Sequence, residues 1–147
     1  MIDPRIFDRG MSFVGAKGVL FVGDRIVVYR RDEKAPNCPL LIDILGGGPD
    51  GDESPLETFV REVREEVSLN ISKSDVVYAK RYAIIKDPSK EMYFFVAKLP
   101  VSFENKIKLG NEGFELSLMT PQEYLKRDDA IKSHQTKFQA FLNEGVE

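Results

Sequence analysis

The stretch that decides the fold is GGGPDGDESPLETFVREVREEVSL, Gly46 to Leu69. Ser54 is a strong N-cap, Pro55 suits the first helical position, and Glu57 stands where a capping box places its acid, so local chemistry alone starts a helix here. At about 100° per residue, Leu56, Phe59, Val60, Val63 and Val67 share one arc, and Glu62, Glu65 and Glu66 crowd the opposite side. The helix is expected to dock one face and present three carboxylates on the other. Like charges at these spacings each cost a few tenths of a kcal/mol on an isolated helix, and Arg61 and Arg64 offset only part of that. Two readings follow. One is a solvated acidic face, which is what most charge runs are. The other is a site for a hard divalent cation such as magnesium, which takes carboxylate oxygens together with waters and substrate phosphates.

Around this core stretch the elements alternate in type. Phe13 to Val22 and Arg25 to Arg30 are rich in aliphatic and aromatic residues and are separated by Gly23-Asp24, a two-residue hairpin signal, so they should be antiparallel neighbours. Asp32 to Pro39 reads as a loop leading to a short strand, Leu40 to Leu45, and the glycine-rich loop Gly46 to Glu53 follows. After the helix, Val76 to Ile85 and Met92 to Leu99 form an expected second hairpin turning at Asp87-Pro88-Ser89-Lys90. A short strand at Phe114 to Met119, a capped turn at Thr120-Pro121-Gln122-Glu123 and an amphipathic helix from about Ala130 to Leu142 complete the chain. A mixed β-sheet with a few helices, the α/β class, is the result.

The chain has 147 residues, with 21 Lys+Arg against 24 Asp+Glu and a net charge of −3. That length suits one domain, residues 1–147, and is enough to bury a core without disulfides or a structural metal. Cys38, the single cysteine, has nothing to pair with inside the chain, and a reducing, cytoplasmic setting is expected. The start MIDPRIFDRG lacks the apolar segment of a secretion signal, and no apolar run reaches the length of a membrane span. Mild acidity also argues against broad binding to a nucleic-acid backbone. No Gly-Lys-Ser/Thr follows the glycines, so a P-loop is a poor reading.

The spacing of the charged residues resembles the Nudix box, Gly-x5-Glu-x7-Arg-Glu-U-x-Glu-Glu-x-Gly-U with U aliphatic. Here the pattern reads Gly47, Glu53, Arg61, Glu62, Val63, Glu65, Glu66, Ser68 and Leu69. Every charged position matches and only the last glycine is replaced. The resemblance implies a Nudix-type α/β/α sandwich and an enzyme that hydrolyses acid anhydrides with Mg2+ or Mn2+. It also implies roles, residue by residue. Glu62 and Glu66 would bind metal, with Glu65 as a ligand or supporting acid, Gly46 offering its carbonyl, and Glu53 and Arg61 forming a supporting pair. A glutamate outside the box completes many such sites; Glu112 is the candidate, with Glu115 second. Three departures stand out. Ser68 occupies a helix end where a left-handed conformation favours glycine by about 1 kcal/mol. Asp52 stands where many members have glycine, and Leu45 where proline often precedes the glycines.

A pyrophosphate resists attack chiefly because its oxygens repel nucleophiles, which clustered cations relieve. The water's proton would pass to Glu62, Glu65, Glu53 or Glu112, and the sequence does not choose among them. The expected substrate is a small nucleotide: a nucleoside diphosphate linked to another moiety, such as a nucleotide sugar, a dinucleoside polyphosphate or a nucleoside triphosphate. A non-catalytic nucleotide-sensing module on the same fold and a pyrophosphohydrolase of RNA 5′ ends are the alternatives. Arg30 and Arg31 are candidate substrate contacts, against the reading of a solvated strand end. Tyr78, Tyr82 and Tyr93 could stack on a base, although sheet aromatics usually pack. His134, the only histidine, reads as a surface or packing residue, and a second copy of the chain is a possible partner.

Overall fold

The computed structural model describes residues 1–108 and 115–144. The strands are β1 (Gly15–Val22), β2 (Arg25–Arg30), β3 (Ile42–Asp43), β4 (Leu45–Gly47), β5 (Val76–Ile84), β6 (Asp87–Leu99) and β7 (Glu115–Met119), and the helices are α1 (Pro55–Val67), α2 (Pro121–Leu125) and α3 (Lys132–Asn143). All seven strands join one mixed sheet in the order β3-β2-β1-β6-β5, with β4 also on β1 and β7 also on β2. The pair β1 and β6 is parallel and the other pairs are antiparallel.

Alternation along the central strands builds two cores. Ala16, Leu20 and Val22 of β1 and Tyr93, Phe95 and Ala97 of β6 pack with Phe59, Val63 and Val67 of α1. Their neighbours Val19, Phe21, Phe94 and Val96 pack with Tyr124 of α2 and Phe138 and Phe141 of α3. This is period-2 burial on both faces, and it yields helix, sheet and helix layers. Helix α1 comes in close because Gly18 has no side chain: a Cβ there would stand 2.6 Å from the Phe95 carbonyl oxygen and 2.7 Å from the Phe59 ring. Phe59 and Phe95 instead stack with centroids 4.8 Å apart.

The capping box at Ser54 forms as expected: the Ser54 hydroxyl accepts from the Glu57 N–H at 3.1 Å and Glu57 accepts from the Ser54 N–H at 2.9 Å. The first hairpin turns at Gly23-Asp24, pairing Val22 with Arg25. Other expectations need correction. The span Leu40 to Leu45 is two short strands interrupted at Ile44, and Gly46-Gly47 lies in β4 rather than in the loop. The second hairpin turns at Ile85-Lys86, and Asp87 to Lys90 belong to β6. Proline is tolerated there because Pro88 lies in an irregularity of the ladder, between the pairs Ile84–Asp87 and Ala83–Glu91, and β1 meets β6 only from Met92 onward; the Ser89 N–H and hydroxyl donate to Asp87 Oδ1 instead. The strand expected from Phe13 begins at Gly15, and the last helix begins at Lys132; of the strand expected from Phe114 to Met119, Glu115 to Met119 is strand and Phe114 lies outside the described residues.

Helix α1 ends at Ser68, which takes φ 63° and ψ 29°, a left-handed conformation that is costly for a residue with a Cβ. Among the described residues its hydroxyl donates one exposed bond, to the Lys108 carbonyl. Ser68→Gly should therefore stabilise the fold by about 0.5–1 kcal/mol, read as a higher urea midpoint at an unchanged slope.

Candidate active site

The glycine turn and helix α1 meet edge to face. Gly46 adopts φ +122°, a conformation that other residues rarely take, and a Cβ there would stand 2.1 Å from the Ala16 carbonyl oxygen. The turn delivers the Gly46 N–H to Glu66 Oε1 at 2.8 Å. At Gly47 a Cβ would stand 2.6 Å from Glu62 Oε2, so the missing side chain is the space that the Glu62 carboxylate fills.

The three helix acids, expected together on the face opposite the docked one, differ in exposure. Glu66 is only 4% exposed, Glu62 is mostly covered and Glu65 is open to solvent. Burial pushes the Glu66 carboxyl up to about 8, and the charges of Glu62 and Asp43 add to this, while Lys17 and the Gly46 N–H pull it back. A solvated stripe does not explain a buried carboxylate with a second one beside it.

Arg61 stands at the centre of the remaining charges. Its Nε donates to Glu53 Oε2 at 2.8 Å, its Nη1 to Glu62 Oε2 at 3.2 Å and to Glu65 Oε1 at 3.0 Å, and its Nη2 to the Gly48 carbonyl at 2.9 Å. Glu53 also accepts from Thr58 Oγ1 and the Asp50 N–H, both at 2.9 Å. Glu53 is thus fully engaged in holding Arg61 and the loop. Among the described residues no group of three or more His, Cys, Asp or Glu closes around a common point, and Glu62 and Glu65 are both held by Arg61. The donor chemistry still suits a hard cation. The Gly46 carbonyl, Glu62 and the buried Glu66 supply oxygens only, in a cradle that a Cβ at Gly47 would fill.

A second cluster, which the sequence reading missed, flanks the turn. Asp43 is 1% exposed. Its Oδ2 accepts from Lys17 Nζ at 2.9 Å and Arg31 Nη1 at 3.0 Å, and its Oδ1 accepts from the Ile44 N–H at 2.8 Å and lies 3.0 Å from His134 Nδ1. Lys17 and His134 hold the carboxyl well below its usual range against the opposing effect of burial. Lys17 Nζ also reaches the Gly46 carbonyl at 3.4 Å, joining the cluster to the turn. The available signal was Asp43 itself, a lone acid in the apolar run Leu40 to Leu45.

Beside the turn lies a cleft of about 550 Å³, bordered by Gly47 and Gly48, by the cationic side chains Lys17, Lys86 and Lys137, and by an apolar wall that includes Ile84, Ile85 and Met92. No Asp or Glu is among its described lining residues. Arg31 faces the Asp43 cluster. Arg30 points elsewhere, to Glu115 Oε1 at 3.0 Å, Asp129 Oδ2 at 3.3 Å and the Leu40 carbonyl. Tyr78 and Tyr93 are buried packing groups, whereas Tyr82 lies under the Lys80 and Lys137 ammonium groups. Glu112 lies outside the described residues.

The NUDIX domain model matches residues 11–140. The chain belongs to the NUDIX family. By class it is a Nudix pyrophosphohydrolase. No curated protein matches the sequence, but solved structures share the fold. A MutT protein from Methanosarcina mazei Go1 superposes with a TM-score of 0.73 at 20% identity, over 92% of this chain and 97% of that one. The bifunctional NMN adenylyltransferase/ADP ribose pyrophosphatase of Francisella tularensis gives 0.70 at 18%, over 92% of this chain and 42% of that longer one. An Ap4A hydrolase from C. elegans gives 0.63 at 19%, over 88% and 98%. Among the described residues no helix is long and apolar enough to cross a membrane.

The Arg61 pairing holds the Glu53 carboxyl down to about 2 from 4.5, against a smaller opposing effect of burial. A depressed folded-state value contributes stability that is complete above the unfolded value near 4.5 and is lost as pH falls from there toward 2. Urea unfolding between pH 6 and 3 should show a shallower acid decline in Glu53→Gln than in the unsubstituted protein.

Proposed function

We propose that this Nudix domain, with residues 1–147 acting as one unit, hydrolyses the pyrophosphate bond of a small nucleotide in a reaction that depends on Mg2+ or Mn2+. The observation that carries the reading is the buried Glu66 carboxylate, held by the Gly46 N–H with Glu62 beside it over Gly47. Two close carboxylates with one largely withdrawn from water are costly unless a proton or a cation neutralises them, and a hard cation is the partner that oxygen-only donors of this kind suit.

In this reading Glu62, Glu66 and the Gly46 carbonyl hold the ion, with Glu65, and with Glu112 from outside the box. When bound, the ion neutralises the pyrophosphate oxygens and makes a water more acidic. The chain's own residues do the rest. Glu53 locks Arg61, and Arg61 fixes the Gly48 carbonyl and the helix acids, so the turn keeps its shape when substrate arrives. The proton of the attacking water passes to one of Glu62, Glu65, Glu53 and Glu112; Arg61 holds the first three, and Glu53 carries the most further bonds, from Thr58 and the Asp50 N–H. Lys17, Lys86 and Lys137 bring positive charge to phosphates in the cleft, and the apolar wall receives the rest of the nucleotide. Arg31 supports this cleft through Asp43; Arg30 would contact substrate only by leaving its present partners. A free, exposed Cys38 is consistent with a reducing, cytoplasmic setting.

Two variants test the site. Glu66→Gln keeps an oxygen to accept from the Gly46 N–H, so it should fold, yet lose metal-dependent turnover by two orders of magnitude or more. Nucleotide release should be followed across ADP-ribose, nucleotide sugars, dinucleoside polyphosphates, nucleoside triphosphates and 5′-triphosphorylated RNA, with Mg2+, Mn2+ and EDTA in parallel. An active, folded Glu66→Gln protein would falsify the assignment. Gly47→Ala places a methyl group 2.6 Å from Glu62 Oε2 and should cut turnover by at least tenfold, again read against folded fraction by circular dichroism.

A further inference from the structure

His134 is the third residue of α3 and lines the same cleft as Gly47 and Gly48. Its ring is mostly covered, and among the described residues its one side-chain hydrogen bond is the 3.0 Å contact between Nδ1 and Asp43 Oδ1. Asp43 is already ion-paired to Lys17 and Arg31 and accepts from the Ile44 N–H, so its carboxylate can only accept. The proton between the two therefore belongs to Nδ1. A neutral imidazole with its proton on Nδ1 carries a lone pair on Nε2. The side chain keeps 15% of its exposure and borders the cleft, and Nδ1 is the nitrogen turned to Asp43, so Nε2 is the one left for the cleft. Burial lowers the tendency of the ring to take a second proton, although Asp43 opposes this. The other titratable lining groups, Lys17, Lys86 and Lys137, are donors. No carboxylate or side-chain amide is among the described lining residues, which leaves Nε2 and the Ser133 hydroxyl as the side-chain acceptors of the cleft.

We infer that His134 is a specificity-determining residue of the cleft, whose Nε2 accepts a hydrogen bond from an O–H or N–H donor on the nucleoside part of the substrate. The inference rests on the nucleotide hydrolase reading, and it adds the side of the cleft on which the nucleoside is recognised. Phosphates and nucleoside are sorted by sign: lysines offer protons to phosphate oxygens, and the one imidazole offers a lone pair to a ribose hydroxyl or a ring amine.

A single histidine in the chain makes the test direct. Long-range ¹H–¹⁵N spectra contain one imidazole, which should show Nδ1 protonated and Nε2 bare in the free protein. Adding AMP, GMP, CMP or UMP should move the Nε2 resonance in the direction of an accepted hydrogen bond while Nδ1 stays in place. His134→Asn keeps an N–H for Asp43 and withdraws the acceptor, because the amide oxygen then stands near the position of the ring Cδ2, short of Nε2. It should match the unsubstituted protein in thermal stability and bind the best monophosphate about three- to tenfold more weakly. The 2′-deoxy, 3′-deoxy and deaminated analogues of that nucleotide then separate ribose from base: the analogue that lacks the bonded group should bind the unsubstituted protein and His134→Asn equally. The opposite tautomer, or binding with Nε2 unmoved, overturns the role of His134 and leaves the hydrolase reading intact, as does full affinity in His134→Asn. No binding of any monophosphate, together with no turnover across the substrate panel, overturns both.

Discussion

The 2.8 Å hydrogen bond from the Gly46 N–H to Glu66 is the constraint on which the rest of the site depends. It joins the last turns of α1 to the edge of the sheet, and neither partner could make it alone. Gly46 reaches the carboxylate only through a backbone conformation and an approach to Ala16 that a side chain would forbid. Glu66 tolerates burial because that N–H and the nearby Lys17 partly offset the loss of water. The bond sets where α1 lies, and Gly18 lets it lie close, so Phe59 stacks on Phe95 while Glu62 comes to rest over Gly47.

Two cationic devices then manage the acid-rich turn from opposite sides. Arg61 collects Glu53, Glu62, Glu65 and the Gly48 carbonyl. Lys17 collects Asp43 and the Gly46 carbonyl. Both are rigidly placed, one by the helix and one by β1, and both leave the buried Glu66 with less positive charge than its surroundings call for. Preorganised side chains of this kind make the arrival of a cation and a polyphosphate a small rearrangement. The cleft beside them is lined by three ammonium groups together with aliphatic residues.

Much of this was legible in the sequence, for reasons that can be stated residue by residue. Ser54, Pro55 and Glu57 specify a helix start through contacts within four residues, so nothing distant could override them. Gly23-Asp24 specified its hairpin in the same way. The hairpin turns two residues ahead of Asp87-Pro88-Ser89-Lys90, which instead interrupts the ladder between the pairs Ile84–Asp87 and Ala83–Glu91, because the register of β5 on β6, and not those four residues alone, decides where the chain reverses. The site divides along the same line. The acids of α1 were legible from spacing, but their graded burial was not, since it depends on β4 approaching one side of the helix. Asp43, Lys17 and His134 come from β3, β1 and α3, and only the folded sheet brings them together. Ser68 is the instructive middle case: the departure from glycine was visible, and the chain adopts the left-handed conformation regardless.

The central claim is that the turn at Gly46 and the acids of α1 form a divalent-cation site. Titrating Mn2+ into the ¹⁵N-labelled protein tests it most directly, because paramagnetic broadening falls off steeply with distance and needs no substrate. The account predicts saturable broadening centred on the amides of Gly46, Gly47, Glu62 and Glu66, and its displacement by Mg2+. Broadening spread over the exposed acids, with those four amides unaffected, would contradict it.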